Sequence, residues 1–178
     1  FGHGAITSKP SSWKTPVAPP KRTYRPADYQ VFRPNRPSYY RPLTNSPVIS
    51  GIFGLPFGSS IHLSLNHLFD RGYEIDGYYN DIVYLRNVNE LGFFWPDAII
   101  RYDQFDCLKS TELHYSTSYN STSRYNKIYK KLRKIYGQPI KYKGTNKAVW
   151  YGSDFRGFIT LEYHRIGNRY YTTVVYSY

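Results

Sequence analysis

The chain has 178 residues, a formal net charge of +12 and one cysteine, Cys107. No stretch approaches the run of about 18 apolar residues that a transmembrane helix needs, and a single cysteine excludes an internal disulfide. The length suits one domain with an extension. Because the chain starts at Phe1 and lacks methionine, we expect that a leader was removed or the chain trimmed, and a lipid anchor is compatible with this.

Residues 1–50 predict an extended basic arm. They hold 9 of the 12 prolines, and 8 Lys or Arg against the single acid Asp28. Proline favours extended, polyproline-like backbone in itself and in the residue before it. An aromatic-Arg-Pro triplet recurs every eight residues between 23 and 46. We predict that the arm contacts a partner through these triplets, and the alternative is a disordered linker. The predicted contact residues are Tyr24, Arg25, Phe32, Arg33, Tyr40 and Arg41.

Two segments have the 3.6-residue apolar period of a helix. The first runs from Ser59 to Gly72 and the second from Ser121 to Gly137, each with hydroxyl residues for an N-cap and a glycine at its end. A strand-like segment follows each helix. The sequence therefore predicts an α+β fold with two helix-then-antiparallel-sheet repeats, 51–116 and 117–178, in one domain behind the arm.

The remaining apolar segments predict strands, and the last two predict a hairpin. The strands are 81–88, 98–102, 108–116, 147–151, 157–164 and 169–178. In 157–164 apolar and polar residues alternate, which indicates a half-buried antiparallel strand. The same alternation places His114 and His164 on the solvent side. We expect the last strand to lie inside the sheet, because at an edge it would be open to pairing with another chain.

No motif indicates a reaction. The sequence has no GxGxxG and no Lys-Ser/Thr pair after Gly58, which excludes the dinucleotide and P-loop interpretations. His62 and His67 are five residues apart, so they do not share a helix face as a metal pair would. The surroundings of Cys107 match no cysteine-protease signature. We therefore predict that the protein is not an enzyme and has neither a cofactor nor a metal site.

One aromatic cluster is a candidate ligand-stacking surface. It comprises Phe93, Phe94 and Trp95. Such a run is more often part of the core or of a hairpin edge. The sequence leaves both interpretations open.

Residues 52–178 resemble small exported proteins of unassigned function from Gram-negative gut anaerobes. The matching features are Gly54-Leu55-Pro56-Phe57-Gly58-Ser59, Arg71-Gly72-Tyr73, Tyr136-Gly137-Gln138-Pro139, Trp150 and Ile159-Thr160-Leu161-Glu162-Tyr163. The resemblance implies a helix-plus-sheet repeat similar to the secreted inhibitors of β-lactamase. It also implies an exported location: the periplasm, the outer membrane surface or the extracellular space. It transfers no catalytic residue, and the arm departs from the family pattern.

These observations together predict a non-catalytic exported binding or accessory subunit. It would dock on a protein partner in the envelope or a surface assembly through its arm and sheet, and removal of residues 1–46 would leave the domain folded. A basic nucleic-acid-binding protein is one alternative, although no recognition motif is present. A glycan-binding module that uses Tyr and Trp is the other, and its binding should survive high salt.

Overall fold

A computed structural model describes residues 6–20, 29 and 34–178 of the chain. Over these residues the fold is α+β with antiparallel strands, which confirms the predicted fold class. The elements are α1 Ile61–Asp70, α2 Ser123–Tyr136, β1 Gly51–Ile52, β2 Leu55–Pro56, β3 Glu74–Tyr79, β4 Ile82–Glu90, β5 Phe93–Tyr102, β6 Leu108–Thr117, β7 Ile140–Lys141, β8 Lys147–Tyr151, β9 Phe158–Ile166 and β10 Arg169–Ser177. In the described ranges, no helix has both the length and the apolar character to cross a membrane.

Both predicted helices are confirmed, with slightly shorter limits. The hydroxyl of Ser60 caps α1 by accepting a hydrogen bond from the amide of Leu63 at 3.3 Å. The N-cap of the second helix is Thr122, one of the hydroxyl residues predicted for it, although its side chain makes no capping hydrogen bond. The helix ends at Tyr136 and is capped by Gly137, whose positive φ of 91° glycine adopts without strain.

Eight strands form a sheet in the order β3-β4-β5-β6-β10-β9-β8-β7, and β1 and β2 form a small hairpin. The predicted C-terminal hairpin is confirmed, because β9 and β10 pair antiparallel from Ile166↔Arg169 to Phe158↔Ser177. The final strand lies between β6 and β9, inside the sheet as expected. The two edge strands are therefore β3 and β7.

The described residues separate into two compact units. The first contains the described residues up to Tyr29 together with Gly51–Leu113, and so includes α1. The second contains residues 34–50 together with His114–Tyr178, and so includes α2. Each unit thus takes up part of the N-terminal fifty residues. The repeat boundaries 51–116 and 117–178 remain a prediction.

In the second unit, α2 and an N-terminal segment cover opposite faces of β8. The ring of Trp150 contacts that of Tyr129 on α2, with 5.5 Å between centroids. Successive side chains of a strand point to opposite faces, and the next residue, Tyr151, contacts Tyr40 instead. Both faces of this part of the sheet are consequently covered.

This double covering makes the prediction of a half-buried β9 wrong. All four residues of Phe158–Leu161 are buried, although apolar and polar types alternate along the strand. Thr160 was predicted to face solvent, but only 1% of its surface is exposed. It pairs with Val149, which belongs to the apolar cluster around Tyr40. The N-terminal segment therefore buries the face that the alternation assigns to water.

The predicted exposure of His114 is also wrong, because only 1% of its surface is exposed. Glu112, two residues earlier on β6, has no exposed surface at all. Both lie on an interior strand, where a polar side chain is accommodated when it finds a hydrogen-bond partner. His164, the other histidine predicted to face solvent, is half-buried.

Candidate anion-binding surface

Two of the predicted arm contacts, Tyr40 and Arg41, are part of the described structure. The side chain of Arg41 turns back on its own segment, where Nη1 donates to the carbonyl oxygens of Ser38 at 2.6 Å and Tyr40 at 2.8 Å. The ring of Tyr40 is 4% exposed, so a partner could contact it only if the segment left its unit. The other predicted contacts lie outside the described residues: Tyr24, Arg25, Phe32 and Arg33.

Tyr40 completes the outer edge of β8. Its hydroxyl accepts a hydrogen bond from the amide of Tyr151 at 2.9 Å, and its ring packs against Tyr151 and Phe155. The edge strand β7 is only two residues long and pairs no further than Val149. The hydroxyl therefore satisfies a backbone group that has no neighbouring strand. Within the second unit this is a structural role.

The aromatic cluster forms the start of β5 and alternates between the two faces of the sheet. Trp95 has no exposed surface, and its Nε1 donates to the carbonyl oxygen of Glu90 at 3.0 Å. Phe93 is half-buried, and Phe94 is 47% exposed. No ligand can stack on Trp95 in this arrangement. The positions fit the core-and-edge interpretation of the cluster.

The strongest concentration of one charge sign surrounds α2. Residues 113–153 contain nine Lys or Arg and no Asp or Glu, and six of these cations lie within α2. Like charges three or four residues apart destabilise a helix by about 0.2–0.5 kcal/mol per pair. The charge pattern of α2 therefore works against the helix itself, which favours an interaction with an external anion.

The exposed side of α2 presents Lys127, Lys130, Arg133 and Lys134, which we name the basic face. Their spacing of three or four residues places them on one side of the helix, over an axial length of about 10 Å. The ion pairs found among the described residues lie elsewhere, and no carboxylate of that part of the chain pairs with Lys127, Lys130 or Lys134. Three positive charges are thus available to a partner.

Aromatic rings lie against Arg133 of the basic face and against two cations beside that face. Arg133 Cζ lies 5.9 Å and Lys141 Nζ 5.2 Å from the ring centroid of Tyr129. Cations within about 6 Å of an aromatic face are attracted to it. On the first turn of α2, the guanidinium of Arg124 lies 3.6 Å from the ring centroid of Tyr115, and burial lowers the pKa of this arginine. The contacts of Arg133 and Arg124 each hold a guanidinium close to the helix surface.

An open cavity of about 730 Å³ adjoins the N-terminal end of the basic face. The residues that line it are all of polar types: Asn120, Ser121, Thr122, Ser123, Asn126, Lys127 and Lys130. The N-terminus of a helix carries a partial positive charge, and no acidic residue lies in the first turn of α2. The cavity and the basic face share two lysines, so an anion bound in either place meets the same positive potential.

The signal for this surface was present in the sequence as the nine Lys or Arg that residues 113–153 contain without any carboxylate. The spacing of the cations in α2 is equally typical of the solvent-exposed side of an amphipathic helix. The aromatic-Arg-Pro repeat was the more regular pattern and drew the prediction to the arm. Knowledge of the ion pairs is needed to distinguish a docking surface from a solvated helix side. Ion pairs depend on contacts between residues that are distant in the chain, so the sequence does not show them.

A buried polar group in the second unit, formed by His114, His164 and Thr173, was also not predicted from the sequence. His114 Nδ1 and His164 Nε2 each lie 3.1 Å from Oγ1 of Thr173, and Thr173 has no exposed surface. A hydroxyl can donate one hydrogen bond and accept another, so Thr173 can bridge two neutral histidines. Over the described residues, no group of three or more His, Cys, Asp or Glu side chains is placed to hold a metal ion.

The surroundings of His164 favour its neutral form. Burial is the main cause and lowers its pKa below the usual 6.5. The carboxylate of Glu162 opposes this shift, while positive charge on His114 or Lys147 adds to it. Glu162 and Lys147 form an ion pair of 3.4 Å, and the ring of Tyr171 stacks on His164 at 5.6 Å.

We expect the free energy of unfolding to fall as the pH is lowered from about 7 to about 5. Unfolded His164 takes up a proton near pH 6.5, whereas the folded protein binds it only at lower pH. The unfolded state therefore holds more protons in this window and is stabilised by acid, by up to about 1.4 kcal/mol per pH unit for one proton. Urea titrations across this range measure the effect. His164→Gln should flatten the dependence, and an unchanged slope would rule out His164 as its source.

Comparison of the chain with protein-family models, with curated proteins and with solved structures finds no match. The family resemblance and the exported location therefore stay predictions.

Proposed function

We propose that the protein is a non-catalytic binding or accessory subunit that docks on an acidic protein surface through the basic face of α2. The observation that carries the proposal is the interval 113–153, which holds nine cations and no carboxylate. A partner rich in Asp and Glu would supply the missing opposite charges. It would also relieve the repulsion among Lys127, Lys130 and Lys134, which no carboxylate of the described chain relieves.

The geometry suits docking by charge better than docking by apolar anchoring. The lysines of the basic face are exposed, so they attract an acidic partner over distances of about 8–10 Å at physiological ionic strength. Such complementary potentials mainly accelerate association and select the partner. Binding through the basic face should therefore weaken as salt is added.

A protein partner fits the surface better than a nucleic acid or a glycan. Single-stranded nucleic acids use open aromatic rings for base stacking, whereas Tyr129 already has Arg133 and Lys141 beside it. The tryptophans that a sugar could stack on are buried, with 6% of Trp13 and none of Trp95 or Trp150 exposed. The proposal retains the exported, envelope location that the family resemblance implies.

Neutralising the basic face is expected to weaken binding to a carboxylate-rich probe at least tenfold. The variant is Lys127→Gln with Lys130→Gln and Lys134→Gln. The probe is immobilised poly-glutamate, and the measurement is the dissociation constant at about 50 mM and about 150 mM salt. Loss of three contacts reduces both the affinity and its dependence on salt.

The matched control replaces three exposed cations of the first unit, Lys14→Gln with Arg71→Gln and Lys109→Gln. Both triple variants lower the net charge by the same three units. Equal losses in the two variants would show that net charge alone drives binding and would contradict the proposal. A duplex DNA probe is run in parallel. Markedly tighter binding to DNA, with a steep salt dependence that the first variant reduces, would favour the nucleic-acid alternative.

A further inference from the structure

The N-terminal segment 6–17 lies on the first unit in the manner of a bound peptide. The amide of Ile6 donates to the carbonyl oxygen of Ile75 at 2.6 Å. Val17 and Tyr78 exchange two backbone hydrogen bonds, of 3.0 and 2.8 Å. Because β3 is an edge strand, these bonds engage backbone groups that have no strand beside them. Extended peptides bind to sheet edges through bonds of this kind.

Trp13 is the side chain that anchors the segment. Its ring is 6% exposed and lies 6.4 Å from that of Phe69 and 5.4 Å from that of Tyr78. Its Nε1 donates to Oδ1 of Asn66 at 2.7 Å. Asn66 and Phe69 belong to α1 and Tyr78 to β3, so the indole fills the groove between the helix and the edge strand. A buried tryptophan with a satisfied N–H is typical of a binding hot spot.

The groove is shaped for close approach of a backbone. A Cβ atom on Gly77 would lie 2.5 Å from the carbonyl oxygen of Val17, so only glycine lets the segment come so near. The hydroxyl of Tyr78 donates to the carbonyl oxygen of Thr15 at 2.5 Å. The ion pair between Lys9 and the exposed Asp70 adds little by comparison. Recognition thus depends on extended backbone and one aromatic side chain.

We propose that the groove between α1 and β3 is a peptide-binding site for an extended segment that carries a tryptophan, and that it accepts residues 6–20 of a second copy of the chain. The groups that hold Trp13 all come from α1 and β3, so they present the same site to a tethered or a separate segment. The tethered segment competes at an effective concentration on the order of millimolar. Copies of the chain are therefore expected to exchange this segment only where they are concentrated, in solution or in an assembly on a surface, as in domain swapping.

The test adds a fluorescent synthetic peptide of residues 6–20 to the full-length chain carrying Trp13→Ala, which weakens its own segment. Fluorescence anisotropy should report binding with a dissociation constant on the order of tens of micromolar, because the peptide must be ordered as it binds. The unaltered chain should bind the peptide at least tenfold more weakly, since its own segment occupies the groove. A peptide with Trp13→Ala is the matched control and should lose about thirtyfold in affinity.

A second full-length variant, Val17→Pro, keeps the tryptophan and removes only the amide that donates to Tyr78. This variant replaces Trp13→Ala in the peptide-binding experiment if Trp13→Ala does not fold. Circular dichroism shows which of the two variants is folded. Absence of peptide binding to a folded variant would overturn the proposal. Equal binding of the original peptide and the Trp13→Ala peptide would overturn it as well, because the groove would then not recognise the tryptophan side chain.

Discussion

Replacing Glu112 by alanine is expected to lower the free energy of unfolding by about 3–5 kcal/mol, the usual cost of removing one partner of a buried ion pair. Glu112 has no exposed side-chain surface, and both of its oxygens accept hydrogen bonds from Arg101. Arg101 is only 16% exposed and also donates to the carbonyl oxygen of Tyr29 at 3.1 Å. The substitution would remove a buried counter-charge that contacts the Arg101 guanidinium directly.

Urea titration of the variant measures this loss, and two further variants interpret it. Asp70→Ala removes an exposed carboxylate that pairs with Lys9, and it should cost about 1 kcal/mol or less. The double variant Arg101→Met with Glu112→Leu removes both buried charges and should recover most of the stability. A loss below about 1 kcal/mol for Glu112→Ala, or no recovery in the double variant, would contradict an energetic role for the pair.

The parts of the fold that the sequence predicts well are those with local causes. Both helices follow from an apolar period and from capping signals within one turn of their ends. The C-terminal hairpin follows from two strand-like segments around Gly167. In each case the residues that decide the structure lie close together in the chain. A single sequence is therefore enough to predict these elements.

Burial could not be predicted where it depends on a distant partner. A glutamate or histidine in a strand reads as a solvent-facing residue, and this is the commoner outcome. Glu112 can be buried because Arg101, on the neighbouring strand β5, pairs with it. His114 can be buried because Thr173, which is 59 residues away in the chain, provides a hydrogen-bond partner. The alternation of β9 failed for the same reason, since Tyr40 and its segment cover the second face of the sheet.

The contacts predicted from the sequence lie in the arm, whereas the basic face lies on α2. The excess of Lys and Arg favours an acidic partner, and this stays a prediction. The arm was the expected contact, yet the described arm residues Trp13 and Tyr40 are buried within the two units. The basic face stands out only when the exposure of α2 and the ion pairs of the described residues are both known. Spacing alone does not distinguish a solvated helix side from a docking surface.

The burial of Trp13 and Tyr40 also changes what truncation of the arm would mean. The sequence suggests that removing residues 1–46 leaves the domain folded. The structure instead buries N-terminal aromatic residues in both units, among them Trp13 in the first and Tyr40 in the second, and truncation would remove them. A loss of partner binding after truncation would then report lost stability as well as lost contacts. A single substitution separates the two effects.

Replacing Tyr40 by alanine is expected to lower the free energy of unfolding by about 3–5 kcal/mol, as for other buried aromatic residues. It empties a site beside Tyr151 and Phe155 and leaves the amide of Tyr151 without its acceptor. Tyr40→Phe keeps the ring and should cost about 1–3 kcal/mol, the cost of one buried unpaired backbone group. Tyr39→Ala alters an adjacent tyrosine that is 76% exposed and should stay within about 0.5 kcal/mol of the parent chain.

These three variants distinguish a structural Tyr40 from a partner-contacting one. A residue that only touches a partner leaves the urea midpoint of the isolated chain unchanged when it is replaced, and it weakens partner binding alone. If Tyr40→Ala behaves like Tyr39→Ala, the packing of Tyr40 on β8 contributes nothing, and the aromatic-Arg-Pro repeat returns as the principal binding element. If the midpoint falls as expected, at least one triplet of the repeat is part of the fold. The search for contacts then moves to the basic face of α2, whose lysines can be neutralised without disturbing the core.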